Sequence, residues 1–294
     1  MRYLVLLALL AAPLFSPAAG MDDDLNASEL REIVADASRV SDSYHFSMDM
    51  DQSVEVVNLT SGEVQTIHTR SIGIGAMNTT SRSLRVAMAS LTLEEGDWEN
   101  ATASAVEEYI LNDTLYLRFD GNWTSMRLPD ISGAWSDQDT LAQQADMLNS
   151  SNLSFIGFES VDGEECYRLL ALMNGTEVSE QISGKAGSLL ELTNASDLFR
   201  NMTIEAYYWI DRGTHQLRRT SVTESFVLDP ASFGLSGNRT EDMQMRVNAT
   251  VTLSFWGHNE SVKITLPEEA LSARQLSEFA SAQLPPDSSG PASP

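Results

Sequence analysis

The stretch that decides the fold is "MQMRVNATVTLSF", residues 243–255. Every second residue is apolar from Met243 to Phe255, and polar residues fill the positions between them. Successive side chains of a β-strand point to opposite faces of a sheet. This strict alternation therefore predicts a long strand in a sheet that is wet on one face and buried or ligand-facing on the other.

The same alternation predicts more strands in the N-terminal half of the chain. One of these strands contains two glycines, Gly73 and Gly75, which are expected to let it bend. The expected strands are residues 43–57, 66–77 and 83–93.

Three dipeptides predict tight hairpins between strands. The central residues of such turns need positive φ, which Asn, Asp and above all Gly adopt at low cost. The dipeptides are Asn112-Asp113, Asp120-Gly121 and Asp162-Gly163, and a further turn is expected at residues 211–213.

Apolar residues at helical spacing predict three helices. In the first, Leu30, Ile33 and Val34 share one stripe, and Ser28 is a suitable N-cap. The helices are expected over residues 28–40, 136–151 and 177–199.

Both ends of the chain are expected to lie outside the folded domain. Residues 1–20 combine a basic start, an apolar run and the small residues of a cleavage site, which is the pattern of a secretory signal peptide. A retained membrane anchor is the alternative. We expect a flexible segment at 21–27, one domain at 28–284 and a disordered Pro/Ser-rich tail at 285–294.

Every asparagine of the chain begins an Asn-x-Ser/Thr sequon, and none is followed by proline. Such motifs also suit turns and caps, but that would account for only a few of them. Together they predict N-glycosylation, and hence an extracellular or cell-surface location. The asparagines are Asn26, Asn58, Asn78, Asn100, Asn112, Asn122, Asn149, Asn152, Asn174, Asn194, Asn201, Asn238, Asn248 and Asn259.

The formal net charge of −24 bears on the partners of the protein. An acidic surface repels nucleic acid and anionic membranes, so nucleic-acid binding is not expected. Only two of the 18 basic residues are lysine, and an acidic, lysine-poor chain suits a salty medium. With the dense sequons, this composition suggests an archaeal surface protein with cell-envelope components among its partners. No transmembrane span is expected after signal cleavage, because no second stretch approaches 18 apolar residues.

The sequence contains no motif for catalysis, cofactor binding or a metal site. The nucleophile elbow, the zinc-protease helix and the phosphate-binding glycine loop are all missing, so we expect neither an enzyme nor a cofactor. The four histidines are far apart, and no metal site is expected. Cys166 is the single cysteine and is expected to pack as a small apolar residue, with pairing between chains as the alternative.

The order of these elements resembles a known superfamily. An N-terminal helix is followed by antiparallel strands, the hairpin "YILNDTLYLRFDGNWTSMRLP", the turn and strand "VDGEECYRL" and the ending "VTLSFWGHNESVKITLPEEA". Together they resemble the LolA/LppX/LprG-type lipoprotein carriers, in particular their secreted archaeal and Gram-positive branch. The resemblance implies a mainly β (α+β) fold, in which a strongly curved antiparallel sheet forms an open half-barrel and helices cover its concave face. The lipobox cysteine of lipid-anchored relatives is absent.

The resemblance further implies that an apolar cavity holds a lipid, another apolar molecule or a lipidated protein. Methionine adapts to irregular apolar partners, and methionines and aromatics recur on the predicted strands. The alternative is a non-catalytic envelope glycoprotein whose core is filled by its own side chains. The residues expected to line the cavity are Phe46, Met48, Met50, Met88, Met126, Tyr207, Trp209, Met243, Met245 and Phe255.

Overall fold

The strand predicted at residues 243–255 is present and extends over Met243–Trp256. In the computed structural model it lies within a sheet of 12 strands. The structure describes residues 27–39, 41–94, 97–128, 139–174, 202–228 and 243–275. The predicted signal peptide, the helix at 177–199 and the C-terminal tail lie outside the described residues.

The described elements are mostly strands. The helices are α1 (Ala27–Arg39) and α2 (Thr140–Ser150), with a 3-10 helix at Glu268–Ser272. The first six strands are β1 (Ser43–Asn58), β2 (Val64–Asn78), β3 (Ser83–Glu94), β4 (Asp97–Leu111), β5 (Thr114–Phe119) and β6 (Asn122–Arg127). The others are β7 (Asn152–Val161), β8 (Glu164–Asn174), β9 (Thr203–Asp211), β10 (Leu217–Leu228), β11 (Met243–Trp256) and β12 (Arg274–Gln275).

The sheet consists of two meanders joined at one strand pair. Its order is β12-β6-β5-β4-β3-β2-β1-β11-β10-β9-β8-β7. Strands β1–β6 and strands β7–β11 each pair in chain order, and β1 pairs with β11 from His45–Trp256 to Asn58–Met243. All pairs are antiparallel except that of β12 with β6. Because β7 and β12 are the two ends of this order and do not pair, the sheet remains open.

All three predicted hairpin dipeptides form turns, and in each one both residues have positive φ. This conformation twists the chain in the sense that joins two right-twisted antiparallel strands. The φ values are 49° and 63° at Asn112-Asp113, 49° and 80° at Asp120-Gly121, and 53° and 92° at Asp162-Gly163.

One face of the sheet carries the core together with both described helices, and we call it the inner face. Leu30 of α1 and Leu141 and Leu148 of α2 are buried in the same cluster as Phe46 and Phe255 of the sheet. The predicted fold class, an open half-barrel of antiparallel strands with helices over one face, is therefore confirmed.

A buried tyrosine fastens α2 to the centre of the sheet. The Tyr44 hydroxyl donates to Asp139 Oδ1 at 2.9 Å and accepts from the Leu141 backbone N–H at 3.2 Å. The same Asp139 oxygen accepts the Ala142 N–H at 3.0 Å, so it also caps the helix. This cap marks the start of α2 at Thr140, and the first residues of the predicted helix, 136–138, lie outside the described residues.

The two glycines of β2, Gly73 and Gly75, differ in how much space surrounds them. A Cβ added at Gly75 would collide with the ring of Phe46, which lies directly over that residue. A Cβ added at Gly73 would meet its nearest atoms, in Ala87 and Met48, at an ordinary 3.6 Å. Gly75 therefore makes room for an aromatic ring on the inner face, whereas Gly73 is not needed for space.

We expect Gly75→Ala to destabilise the protein by about 2 kcal/mol, because the added methyl group displaces a well-packed ring. Gly73→Ala is the matched control on the same strand and face, and it should be neutral or slightly stabilising. Denaturant unfolding midpoints of the two variants measure the difference. Equal midpoints would show that the Phe46 ring can adopt another position without loss of stability.

Candidate ligand-binding site

Eight of the ten residues expected to line a cavity lie on the inner face. Strand register places Met48 opposite Leu253 on β11, and it places Met48 and Met88 on either side of Gly73. The eight residues are Phe46, Met48, Met50, Met88, Met126, Met243, Met245 and Phe255. Whether they contact a ligand remains a prediction.

Tyr207 and Trp209 lie on the other, outer face, so the structure separates them from the other eight. Ala206 and Tyr208 occupy the inner positions of β9. The guanidinium of Arg168 covers the two outer aromatics, at 4.8 Å from the Tyr207 ring centroid and 5.5 Å from that of Trp209. Such cation–π contacts make an aromatic residue stable on an outer face.

Part of the inner face is apolar but incompletely covered, and we call it the open patch. It comprises the half-buried residues Met48, Val86, Met88, Leu115, Leu117 and Met126. By contrast, the middle of the inner face on β8–β11 is closed, since Leu169, Ala206, Tyr208, Val251 and Leu253 are at most 4% exposed. Glu108 lies between Val86 and Leu117, and burial raises the pKa of its carboxyl.

Hydroxyl groups border the open patch on β2, β3 and β4. Ser71 and Ser90 are 2.7 Å apart through their Oγ atoms, and Thr69 and Thr92 are 3.2 Å apart through Oγ1. The register continues these two rows to Ser104 and Thr102 on β4. The inner face thus changes along the strands from apolar to uncharged polar. In the sequence, these hydroxyl rows are indicated only by a serine or threonine at every second position. This signal is weak because serine and threonine are common in this chain.

Four buried polar side chains on the inner face or on α2 lack partners within the part of the chain that the structure describes. Glu224 of β10 is 1% exposed, and neither of its carboxyl oxygens has a hydrogen-bond partner. The hydroxyls of Tyr208 and Thr220 and Oε1 of Gln144 are also unpartnered. Burial raises the pKa of Glu224 to about 9, so its carboxyl is neutral at pH 7.

Sequence reasoning missed Glu224, although a signal was present. The residue occupies an inner position of β10, between Val222 and Phe226 in the period-2 pattern. A glutamate in the apolar register of a strand is unexpected, because an acid there must lose its hydration.

The cavity beneath the helices that a carrier requires remains a prediction. A cavity of about 830 Å³ does open in the described sheet, but its side chains Ile72, Ala89, Leu91, Ala103 and Ala105 belong to the outer face. Ile72 is 56% exposed, so this second apolar surface is open to solvent.

Other sequence expectations concern metals, membrane spans and the cysteine. Among the described residues, no group of three or more His, Cys, Asp or Glu side chains could hold a metal ion. None of the described helices has the length and apolar character needed to cross a bilayer. Cys166 is buried and packs with Val161 and Trp209 on the outer face, which agrees with its predicted apolar role.

The sequon asparagines differ in how accessible they are. Asn248 is exposed on the outer face, where the register places the small residues Ser53 and Ser225 on either side of it. Asn78 is half-buried, and its Nδ2, the atom that would carry a glycan, donates to the Val262 carbonyl at 3.2 Å. Sequons Asn112, Asn122, Asn152 and Asn259 are exposed, Asn58 is half-buried, and Asn100, Asn149 and Asn174 lie within described elements. Asn26, Asn194, Asn201 and Asn238 lie outside the described residues.

Residues 26–275 match the sequence profile described as Family of unknown function (DUF6612). The chain belongs to this family. The match starts one residue before α1 and ends with β12, so the DUF6612 region contains the whole described sheet and both described α-helices.

Solved structures similar to this DUF6612 protein include three from bacteria. Lipoprotein LppX of Mycobacterium tuberculosis is 15% identical over 81% of this chain and 98% of its own, with a TM-score of 0.39. LprF of Mycobacterium bovis is 12% identical over 82% and 97%, with a TM-score of 0.40. An outer membrane lipoprotein-sorting protein domain from Vibrio parahaemolyticus is 10% identical over 84% and 97%, with a TM-score of 0.25.

The comparison with curated proteins returned no match.

We expect the stability of the protein to fall with rising pH because of Glu224. Its pKa rises from 4.5 to about 9 on folding, so its contribution is fully present below pH 4.5 and is lost as the pH approaches 9. Glu224→Gln does not titrate, and its melting temperature should exceed that of the wild type by a margin that widens from pH 5 to pH 8.5. A constant margin would mean that Glu224 is ionised in the folded protein.

We expect glycan occupancy in the native protein to be high at Asn248 and low at Asn78. The first asparagine faces solvent between two serines, whereas the second has its amide nitrogen bonded to a backbone carbonyl. Mass spectrometry of glycopeptides from the protein's own cells measures both sites. Equal occupancy would contradict this order, and an unmodified protein would contradict the predicted glycosylating compartment.

Proposed function

We propose that the protein is a secreted or cell-surface N-glycoprotein that binds a lipid or another apolar ligand on the inner face of its half-barrel. It acts there as a carrier or a sensor. The observation that carries this proposal is the open patch, where apolar side chains from β1, β3, β5 and β6 share one face and remain half-buried.

An apolar ligand would gain stabilisation on this surface by leaving water. Each buried methylene group contributes about 0.8 kcal/mol, so an acyl chain that covered the patch could bind without any charged contact. Three of the six patch residues, Met48, Met88 and Met126, are methionines, whose flexible side chains follow irregular apolar shapes. The bordering serine and threonine rows could contact the polar end of the same molecule.

A second candidate function is a structural glycoprotein of the cell envelope. The closed part of the inner face on β8–β11 favours this alternative, because its side chains are already buried in the protein's own core. The two functions differ in what happens at the open patch, which only the ligand-binding function needs to be accessible.

We expect the protein, purified from its own cells without detergent, to release a stoichiometric apolar molecule on extraction with organic solvent. Native mass spectrometry before and after extraction measures the bound mass. A glycoprotein with nothing in the extract, which also fails to bind the apolar dye N-phenyl-1-naphthylamine, would favour the structural alternative.

Two variants of β3 locate the binding face. Met88→Gln changes the open patch, and Leu91→Gln changes the outer cavity with a similar loss of apolar surface. We expect Met88→Gln to weaken dye binding about tenfold, which corresponds to roughly 1.4 kcal/mol, and Leu91→Gln to leave it unchanged. The reverse result would place the ligand on the outer face.

A further inference from the structure

Glu108 is the acid that lies within the open patch. The strand register places it directly opposite Val86 on β3 and Leu117 on β5, and both belong to the patch. The positions two residues before and two residues after these three are apolar on each strand as well. The carboxyl group is therefore surrounded on the inner face by apolar side chains, and an ionised carboxylate in such surroundings loses hydration without compensation.

The charge of Glu108 is not neutralised by any residue that the structure describes. Neither an ion pair nor a hydrogen bond from that part of the chain involves its carboxyl group, and burial alone raises the pKa of this group. The inner positions of the described strands carry no Lys, Arg or His. Since the cost of burying this acid is not offset within the described chain, a ligand explains the acid better than the fold does.

A ligand on the open patch can reach this carboxyl group. Glu108, Val86 and Leu117 are half-buried, whereas Glu224 on the closed part of the inner face is only 1% exposed. A cationic group beside Glu108 would supply the missing counter-charge, an anionic group would be repelled, and an uncharged group would leave the carboxylate unpaired. Because the neighbouring apolar side chains exclude part of the water, the attraction exceeds that of a fully exposed ion pair.

We propose that Glu108 makes the open patch selective for a cationic amphiphile, whose protonated amine pairs with this carboxylate while its apolar chain covers the patch. This inference rests on the proposed function and names the chemical class of its ligand. An ammonium group carries only hydrogen-bond donors, which a carboxylate accepts through both of its oxygens. A zwitterionic lipid is a poorer complement, because its phosphate would find no cation on the described inner face.

The test compares decylamine, 1-decanol and decanoic acid, which share one chain length, by displacement of N-phenyl-1-naphthylamine at neutral pH. The wild type should bind the amine about tenfold more tightly than the alcohol, and it should bind the acid most weakly. Glu108→Gln should bind the amine and the alcohol equally, because its amide has nearly the same shape but no charge. Glu108→Lys should reverse the order and favour the acid.

Glu107→Gln is the matched control for Glu108→Gln. Glu107 is the preceding residue of β4, lies on the outer face and pairs with Arg118, with 2.7 Å between Oε1 and Nη1. The formal net charge of −24 attracts any cation to the whole surface, and both variants reduce this general attraction by the same amount. Glu107→Gln should therefore keep the wild-type preference for the amine, so the difference between the two variants measures the contact at Glu108.

The remaining outcomes separate this selectivity from the proposed function. If none of the three compounds displaces the dye, the proposed binding of apolar ligands fails and the selectivity fails with it. If the alcohol displaces the dye but the wild type and Glu108→Gln prefer the amine equally, apolar binding is supported and the selectivity is overturned. An equal loss of preference in Glu107→Gln would overturn it too, since net charge would then explain the effect. Tightest binding of the acid by the wild type would show that Glu108 is protonated, which also contradicts the proposal.

Discussion

The fold depends on one buried phenol, that of Tyr44, which joins its two layers. Tyr44 lies on β1, the strand that links the two meanders, and its hydroxyl bonds to the N-cap of α2. Burial, together with the negative charge of Asp139, raises the pKa of this hydroxyl, so it stays protonated and keeps donating. Its ring also contacts Phe46 and Phe255, with centroids about 6 Å away. The position of the helix over the inner face, and hence the extent of the open patch, follows from these contacts.

Much of the fold could be predicted from alternation and turn chemistry. Thirteen alternating residues identified β11, and the three hairpin dipeptides identified the turns because positive φ restricts the residue types allowed there. It was harder to predict which β9 side chains point to which face of the sheet, because the odd- and even-numbered residues of "AYYWI" are all apolar or aromatic. Glu205 and Asp211 share the parity of Tyr207 and Trp209, so these polar residues marked the outer face. Arg168, which covers the rings of Tyr207 and Trp209, lies on the neighbouring strand β8, so this contact cannot be deduced from the β9 sequence.

The candidate site was less predictable than the fold, for a physical reason. Apolar side chains at alternate positions look the same in a sequence whether a ligand or the protein itself covers them. The difference between the open patch and the closed part of the inner face is a tertiary property, because it depends on which parts of the sheet the helices cover. A glutamate in an apolar register, such as Glu224, can be suspected from the sequence, but only the structure shows that its carboxyl oxygens have no hydrogen-bond partner among the described residues. Such a group lowers the stability of the folded protein.

The arrangement of the two meanders has a kinetic consequence. Within each meander, every strand pairs with its neighbour in the chain, so these contacts are local and can form early. The β1–β11 pair joins residues about 200 positions apart, as in Phe46 and Phe255. Loop closure of that length must precede the pairing, so the last step of folding waits for nearly the whole chain. A polypeptide assembled in this order becomes fully compact only when its C-terminal strands are available.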